Sequence, residues 1–540
     1  MARLRASGWL VPAVSACSFL ASCTRIEHGP ELRQADAAME RSTGLRTQWA
    51  SHPELQELQP DASGTVSLEQ VVNLALVNNR SLRADVAVIG QAKADLVQAG
   101  LLSNPMLSVM FGFPDAGGLA NFTFGLSKDF ADLWLIPSRK RAAQAMLQQR
   151  VLSFTDTAIA LATEAKTNYY NLQYLSLATE LEQENLRILQ EATDIAQARL
   201  RAGETSQLDV NLLRARYLEA DLDLLQFRSD YRVTQRTLLR LTGVARAPDD
   251  WRPQPLSLDT PFTPASRDES MFVEAALLQR LDVQAARWEL ESALADFEQQ
   301  RLRVIQNLGI GISGERPARR AMSGRNILAD TARASVASGR LMAPEIEAVR
   351  QRRSERNREM DLMLGPSLDV PLPIFDQNQA QIAKAQFRAQ ERRQRYEEIE
   401  QRVVEGVRAA LTQRRLAEDR ARILQESLVP LQVNNLRLAE AAYQAGRESI
   451  LTVLLAQGEL IRTRLAHAAA VRDLAVSAAN LERQLSGRVP EFLVTPPATQ
   501  PTSAPAEGQG AQASPESESI IGEAQAEPAA MVAELEPEGR

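Results

Sequence analysis

Residues 181–210 read LEQENLRILQEATDIAQARLRAGETSQLDV, and this stretch decides the fold. Leu181, Ile188 and Ile195 fall at the spacing of a coiled-coil seam. Gly203 suits the left-handed residue that closes a helix end. Beyond it Leu208, Ala215, Leu218, Leu222 and Leu225 resume a helical period. The stretch is therefore the tip of an αα-hairpin. Around it, residues 138–247 contain none of the 26 prolines in the 540-residue chain. Proline removes an amide donor and clashes inside a helix, so this tract permits one long helix from Ser138 to Ala202. At the rise of an α-helix that is roughly 100 Å.

The pattern recurs. Residues 374–489 hold a single proline, Pro430, where a kink is expected. Leu424, Leu428, Leu431, Leu438 and Ala442 lead to Gly446, so a second long helix runs from about Asn378 to Ala445 and ends in a second tip. Val72-Asn-Leu-Ala-Leu matches Val273-Glu-Ala-Ala-Leu at an offset of 201. Pro137 matches Pro373 at 236, Gly203 matches Gly446 at 243, and Leu241-Thr-Gly243 matches Leu485-Ser-Gly487 at 244. The chain is thus a two-fold internal repeat, each unit reading helix, strand, loop, strand, long helix, tight turn, helix. The last gain before the glycines, seven residues, is two helical turns and keeps the same face in register. The opening helix, 68–103, and the returning helix, 204–242, are roughly 54 and 58 Å long. Placed end to end they match the long helix, which puts the Pro-rich segment 248–264 at their junction.

Four strand candidates alternate large apolar with small polar residues. They are Met106–Phe113, Asn121–Phe130, Leu308–Ser313 and Leu368–Ile374. This is the pattern of a membrane barrel with a wet lumen, and equally of a half-buried sheet. Two considerations favour the membrane. The strands sit at the far ends of the long helices, where no globular core covers them, and the N-terminus reads as an export signal. Four strands do not close a membrane barrel and unpaired edges are not allowed in lipid, so several copies must complete one barrel. No stretch of 18 uncharged apolar residues offers a membrane helix instead.

Composition agrees with a folded, largely helical chain: 44% hydrophobic and 24% charged residues are too apolar for wholesale disorder. The net charge of −7 is a property of residues 489–540, which hold nine Glu, one Arg and eight prolines. The rest is near neutral, so the acidity says little about partners, and nothing points to nucleic acid. Both cysteines, Cys17 and Cys23, lie at the start. Arg3 and Arg5 precede an apolar run, Gly8–Leu20, ending in Leu20-Ala21-Ser22-Cys23. This resembles a bacterial lipobox, in which Cys23 becomes the lipidated, palmitate-bearing N-terminus. Thr24 is not the Asp of inner-membrane retention, which favours the outer membrane of a Gram-negative cell. The three histidines, His28, His52 and His467, show no metal-ligand spacing, and no Gly-rich phosphate loop follows a strand. We therefore expect no enzyme, no cofactor and no metal site.

The order of these motifs resembles the TolC-like outer-membrane efflux proteins. It is carried by Asn79-Arg-Ser-Leu82, by Gly203-Glu-Thr-Ser206-Gln-Leu-Asp209-Val, by Gly365-Pro-Ser-Leu368 leading to Leu372-Pro-Ile-Phe375-Asp376, and by Gly446 with Leu455-Ala-Gln457. The resemblance spans about residues 65–488 and implies a mainly α fold with a membrane β-barrel. Four strands per chain would form a twelve-stranded barrel in a homotrimer, continued by a coiled-coil α-barrel in the periplasm. It implies an exit duct for drugs, metal ions or other small solutes. The partners would be a periplasmic adaptor and an inner-membrane pump, most similar to the resistance-nodulation-division type. A type I protein-secretion duct, or a lipid-anchored periplasmic scaffold without a channel, is the alternative. Adaptor contact and gating would fall on Gly203, Ser206, Asp209, Gly446, Ser449 and Thr452. Pro105, Pro137, Pro371 and Pro373 would mark the passage from barrel to tunnel.

Two departures from the family stand out. Leu212 and Leu455 replace the Asp that in many relatives narrows the periplasmic entrance, which leaves Asp209 as a substitute or as a plain helix-start carboxylate. An Arg-rich insertion, Glu315–Asp361, joins two strands at the outer end. It reads as a site for lipopolysaccharide phosphates or as a solvated loop with a helix at Ala343–Met360. The expected organisation is a signal peptide (1–22), a lipid-anchored segment (23–64), repeat one (65–244), a Pro-rich linker (245–269), repeat two (270–488, with the insertion at 315–361) and a disordered acidic tail (489–540).

Overall fold

A computed structural model describes residues 26–44, 47, 49, 64–113, 118–119, 121–244, 251–259, 268–304, 308–316, 319–320, 327–341 and 363–487. Cys23, the signal segment, the Ala343–Met360 helix and the tail after residue 488 lie outside these. In chain order the elements are α1 (Gly29–Thr43), β1 (Thr65–Val66), α2 (Leu68–Asn78), α3 (Arg80–Ala99), β2 (Met106–Gly112), β3 (Gly118–Leu119), β4 (Asn121–Asp129), α4 (Asp132–Arg201) and α5 (Gln207–Thr242). There follow β5 (Arg252–Pro253), α6 (Glu269–Gln279), α7 (Leu281–Leu302), β6 (Gly309–Arg316), β7 (Arg319–Arg320), α8 (Ile327–Ser338) and β8 (Met363–Asp369). The chain ends, as described, in α9 (Gln379–Ile423), a π-helical turn (Leu424–Leu428), α10 (Val429–Gln444) and α11 (Ile450–Gln484).

The opening helix is not one piece but two, and Asn79 is the reason. Its backbone leaves the helical region, and its Oδ1 accepts from the amides of Ser81 and Leu82, capping α3. Its Nδ2 donates to the Leu241 carbonyl at 3.0 Å, which satisfies an orphan acceptor at the end of α5. One side chain therefore ends a helix, starts the next and holds the returning helix against the joint. Gly243, left-handed at φ +64°, follows directly; a Cβ there would lie 2.7 Å from the Asn78 carbonyl. In the second half Arg280 breaks the helix in the same place with different chemistry. Its guanidinium grips Asp282 through Nε (2.9 Å) and Nη2 (2.7 Å), and Nη1 reaches the Gln484 carbonyl and side chain at the end of α11. Thus α3 and α5 both lie along α4, and α7 and α11 both lie along α9.

The main core gathers at the middle of α4. Tyr169, Leu172, Phe154, Trp49 and Trp251 are buried there with α2 and α3. The Tyr169 hydroxyl donates to the Val66 carbonyl (2.7 Å) and accepts from the Gln254 amide (3.1 Å). It thereby anchors the parallel pairing of β1 and β5. The described part of the Pro-rich linker belongs to this mid-helix joint.

At the other end β2, β4, β6 and β8 form one antiparallel sheet in that order. The fourth strand lies earlier than the sequence predicted. It is Met363–Asp369, not Leu368–Ile374, because Asp369 pairs with the first residue of β6 and Pro371 and Pro373 have no amide to continue a ladder. Pro366 lies within β8, the outermost strand of the sheet in a single chain, which is where a strand proline is found. Pro105 precedes β2, and Pro371 and Pro373 lie between β8 and α9. Pro137 does not precede its helix: α4 begins at Asp132 and contains it. As the sixth helical residue it lies inside the helix and leaves the Leu133 carbonyl without its i+4 amide donor. Pro430 is met by the π-turn immediately before it, where the Val429 amide bonds back to the Leu424 carbonyl. Within the insertion β7 pairs with β3, and α8 is its described helix.

Candidate functional site: two helical tips and an open sheet

The two tips share one geometry. At the first, the Gly203 amide donates to the Leu200 carbonyl (3.0 Å) and the Glu204 amide to the Arg199 carbonyl (2.9 Å). At the second, Gly446 donates to Tyr443 and Arg447 to Ala442, both at 2.9 Å. This is the Schellman closure, and both glycines stand at positive φ, +78° and +66°, with open space around them. Ser206 and Ser449 then cap the returning helices. Ser206 forms a full capping box with Asp209, whereas Ser449 accepts from the Leu451 amide (3.0 Å). Thr452 donates to Glu448 at 3.1 Å. The Arg199 guanidinium crosses from the first tip to the second and donates to the Ser449 hydroxyl at 3.1 Å. Sequence reading missed this link, since nothing in the spacing pairs residues 250 apart.

Asp209 points to solvent but is not idle. It accepts from the Ser206 hydroxyl and amide and from the Thr205 hydroxyl, and these bonds hold its carboxyl below the usual range. Leu212 and Leu455 are exposed. Below the tips Ile188, Ala192 and Ala196 of α4 pack against Val210 and Leu213 of α5 and Leu454 and Ile461 of α11. The first long helix is therefore held from two sides. By contrast α10 packs on α11 and buries none of its residues.

The sheet separates its two faces by register. Leu107 pairs with Leu126, which pairs with Ile312, which pairs with Pro366; Val109, Phe124, Gly314 and Leu364 form the next row of that face. The Phe111 and Phe122 rings stand 5.0 Å apart on it. The opposite face carries Ser108, Gly125, Ser313 and Gly365 in one row and Met106, Ser127, Gly311 and Ser367 in another. Among the described residues nothing covers the apolar face, and every large apolar side chain of β2 is at least half exposed. Both edge strands, β2 and β8, lack an outer partner among the described residues. Among the described residues no helix is long and apolar enough to cross a membrane, and no group of three or more His, Cys, Asp or Glu is placed to hold a metal.

Comparison with known proteins fits this layout. The family model for the outer membrane efflux protein matches residues 71–244 and 272–487. The cobalt-zinc-cadmium resistance protein CzcC of Cupriavidus metallidurans is 21% identical over 434 residues, covering 79% of this chain and 91% of that protein. The cation efflux system protein CusC of Escherichia coli is 24% identical over 412 residues, covering 74% and 81%. Among solved structures, CusC aligns with a TM-score of 0.58 at 20% identity over 81% of this chain and 99% of that one. VceC of Vibrio cholerae aligns with a TM-score of 0.58 at 18% identity over 78% and 96%. Both show a TolC-like fold. With both halves of its helical and strand framework matched, the chain belongs to the outer membrane efflux protein family.

Proposed function

We propose that this protein is the outer-membrane exit duct of a tripartite efflux system, working as a homotrimer whose four-stranded sheets join into a twelve-stranded barrel. The observation that carries the reading is the open sheet: one face of Leu, Val, Ile and Phe, an opposite face mostly of Ser, Gly and Thr with Met106, Met110 and Met363 among them, and two edges unpartnered among the described residues. An even strand number leaves β2 and β8 antiparallel across the gap, so β8 of one copy can pair with β2 of the next. Closure removes every edge and turns the polar face inward as a wet lumen. The helical stripes support the same assembly. Leu208, Leu212, Leu222 and Leu225 on α5, and Leu431 and Leu438 on α10, are exposed at coiled-coil spacing and want a neighbour. Because the sheet must have an apolar surround, a periplasmic scaffold without a channel fits poorly.

In this reading Cys23 carries the lipid anchor in the outer membrane and the helices reach into the periplasm. Gly203, Ser206, Asp209, Gly446, Ser449 and Thr452 meet the adaptor, which opens the tips for a resistance-nodulation-division pump. Pro105, Pro371 and Pro373 mark the passage from barrel to tunnel. Cargo is proposed to be a metal cation, on the strength of the names of CzcC and CusC. The deciding experiment is planar-bilayer conductance of the purified oligomer. Discrete channels are expected, and a folded oligomer without conductance would overturn the duct. Growth of a deletion strain on zinc, cadmium, copper and dye-like drugs then tests the cargo: sensitivity to drugs alone would remove the metal assignment.

A further inference from the structure

Midway along the molecule, α4, α5 and residues 251–252 enclose a concavity of about 470 Å³. Three guanidinium groups, Arg228, Arg232 and Arg252, line it together with Ser176, Thr179 and Gln183. None of the three arginines makes an ion pair among the described residues. The one carboxylate in the lining, Glu180, bonds none of them. Arg228 and Arg232 sit one turn apart on α5, where like charges repel. Arg252 faces them from a fixed backbone. Its amide donates to the Gly64 carbonyl at 3.0 Å, it pairs with Thr65, and the preceding Trp251 is buried with its carbonyl held by Gln235 at 3.2 Å. Three like charges thus line one hollow, and among the described residues none of them is ion-paired.

The second half of the chain shows that the fold does not require this. At the 244-residue offset that aligns Leu241 with Leu485, Arg228 corresponds to Arg472 and Arg232 to Val476. Arg472 is fully engaged: it pairs with Asp473 at 2.7 Å and stands over the Tyr174 ring at 4.5 Å. At the matched positions of the second half the arginine pair is therefore not repeated. Arginine presents a planar fork of donors that matches phosphate and carboxylate bidentately.

We propose that this hollow binds a small polyanion, a solute carrying phosphate or clustered carboxylates, through Arg228, Arg232 and Arg252. A bound anion would neutralise the three charges and tie α4, α5 and the β1–β5 joint together. The test is calorimetric titration of the full-length oligomer with inorganic phosphate and, separately, with citrate. Alongside the wild type go Arg252→Ala, the pair Arg228→Ala with Arg232→Ala, and a control pair, Arg214→Ala with Arg216→Ala, which removes the same charge from the same helix. Wild type and control should bind, with an unfolding midpoint that rises with ligand. Each site variant should bind about tenfold more weakly or worse, and binding should weaken with salt. Arg228→Lys keeps the charge and loses the fork, so it should fold normally and bind at an intermediate strength. Whichever titrant binds more tightly identifies phosphate or carboxylate as the preferred group. Failure of both anions to bind the wild type, or equal weakening in the control pair, would overturn the site. The outcome does not depend on whether the oligomer conducts.

Discussion

The first long helix, α4, buries side chains from Asp132 to Ala196, while its counterpart buries none between Leu424 and Gln444. Both carry apolar residues at coiled-coil spacing. What differs is the company: the outer part of α4 lies between α5 and α11, and α10 has α11 alone. Equal hydrophobic patterning therefore does not mean equal intramolecular burial. One stripe is spent inside the chain, and the other is left for a second copy under the proposed assembly.

The strongest way to break this contrast is to charge the free stripe. Leu431→Glu with Leu438→Glu should abolish the oligomer while leaving helix content unchanged, because taking an unpaired carboxylate out of water into a packed seam costs several kcal/mol per ion. Light scattering and circular dichroism check it, and an intact oligomer would mean that α10 faces no neighbour. Next comes a matched pair of truncations. Leu172→Ala, at a site with no exposed surface, should lose about 2–5 kcal/mol in a denaturant titration. Leu438→Ala should lose well under about 1 kcal/mol in dissociated chains. If the two cost the same in the monomer, the contrast is wrong.

Smaller effects sharpen the comparison at the tips. Ser206→Ala and Ser449→Ala should each cost about 1 kcal/mol as lost helix caps. Only Ser449→Ala also releases Arg199, so hydrogen exchange should accelerate at both tips in that variant and at one tip in the other. The smallest expected effect is pH-dependent. Glu182 is enclosed near the supported tip, and burial pushes its carboxyl upward, with Asp223 adding to the rise and Asn185 and Arg462 opposing it. A carboxyl whose folded pKa is raised binds its proton more tightly in the native state. Its contribution to stability is then fully present below about 4.5, the ordinary value, and is lost as pH climbs through the raised value. Glu182→Gln should flatten that decline in thermal melts between pH 4 and 7. An unchanged slope would remove Glu182 from the account.

The long helices, both tips and three of the four strands were legible because each rests on local chemistry: period, glycine and alternation. The joints were not. Asn79 stood out as part of a motif, but its contact with Leu241 joins residues 162 apart, and Arg280 reaches Gln484 across 204. At the offset of 201 that matches Val72 with Val273, Asn79 falls opposite Arg280, but the two side chains are unlike, so the matched position alone does not disclose the shared role. The fourth strand was misplaced because its alternation continues through Val370, Leu372 and Ile374, and only the pairing with β6 shows where it ends. Pro137 suggests a helix start because proline disfavours helix interiors, yet α4 begins five residues earlier at Asp132 and runs through it.

The π-turn before Pro430 has a consequence for counting. Leu416 and Ile423 are seven residues apart, Ile423 and Leu431 are eight, and Leu431 and Leu438 are seven again; all four are exposed to a similar degree. In an uninterrupted α-helix the eight-residue step would swing the outer stripe by roughly 100°. The wide turn swallows the surplus residue, so the stripe emerges on the side it entered. The second helix thus carries a spare letter. Remove one residue from 424–428 and the remaining chain can close as plain α-helix with its phase intact, whereas the same deletion in α4 would turn the whole first tip away from its neighbours.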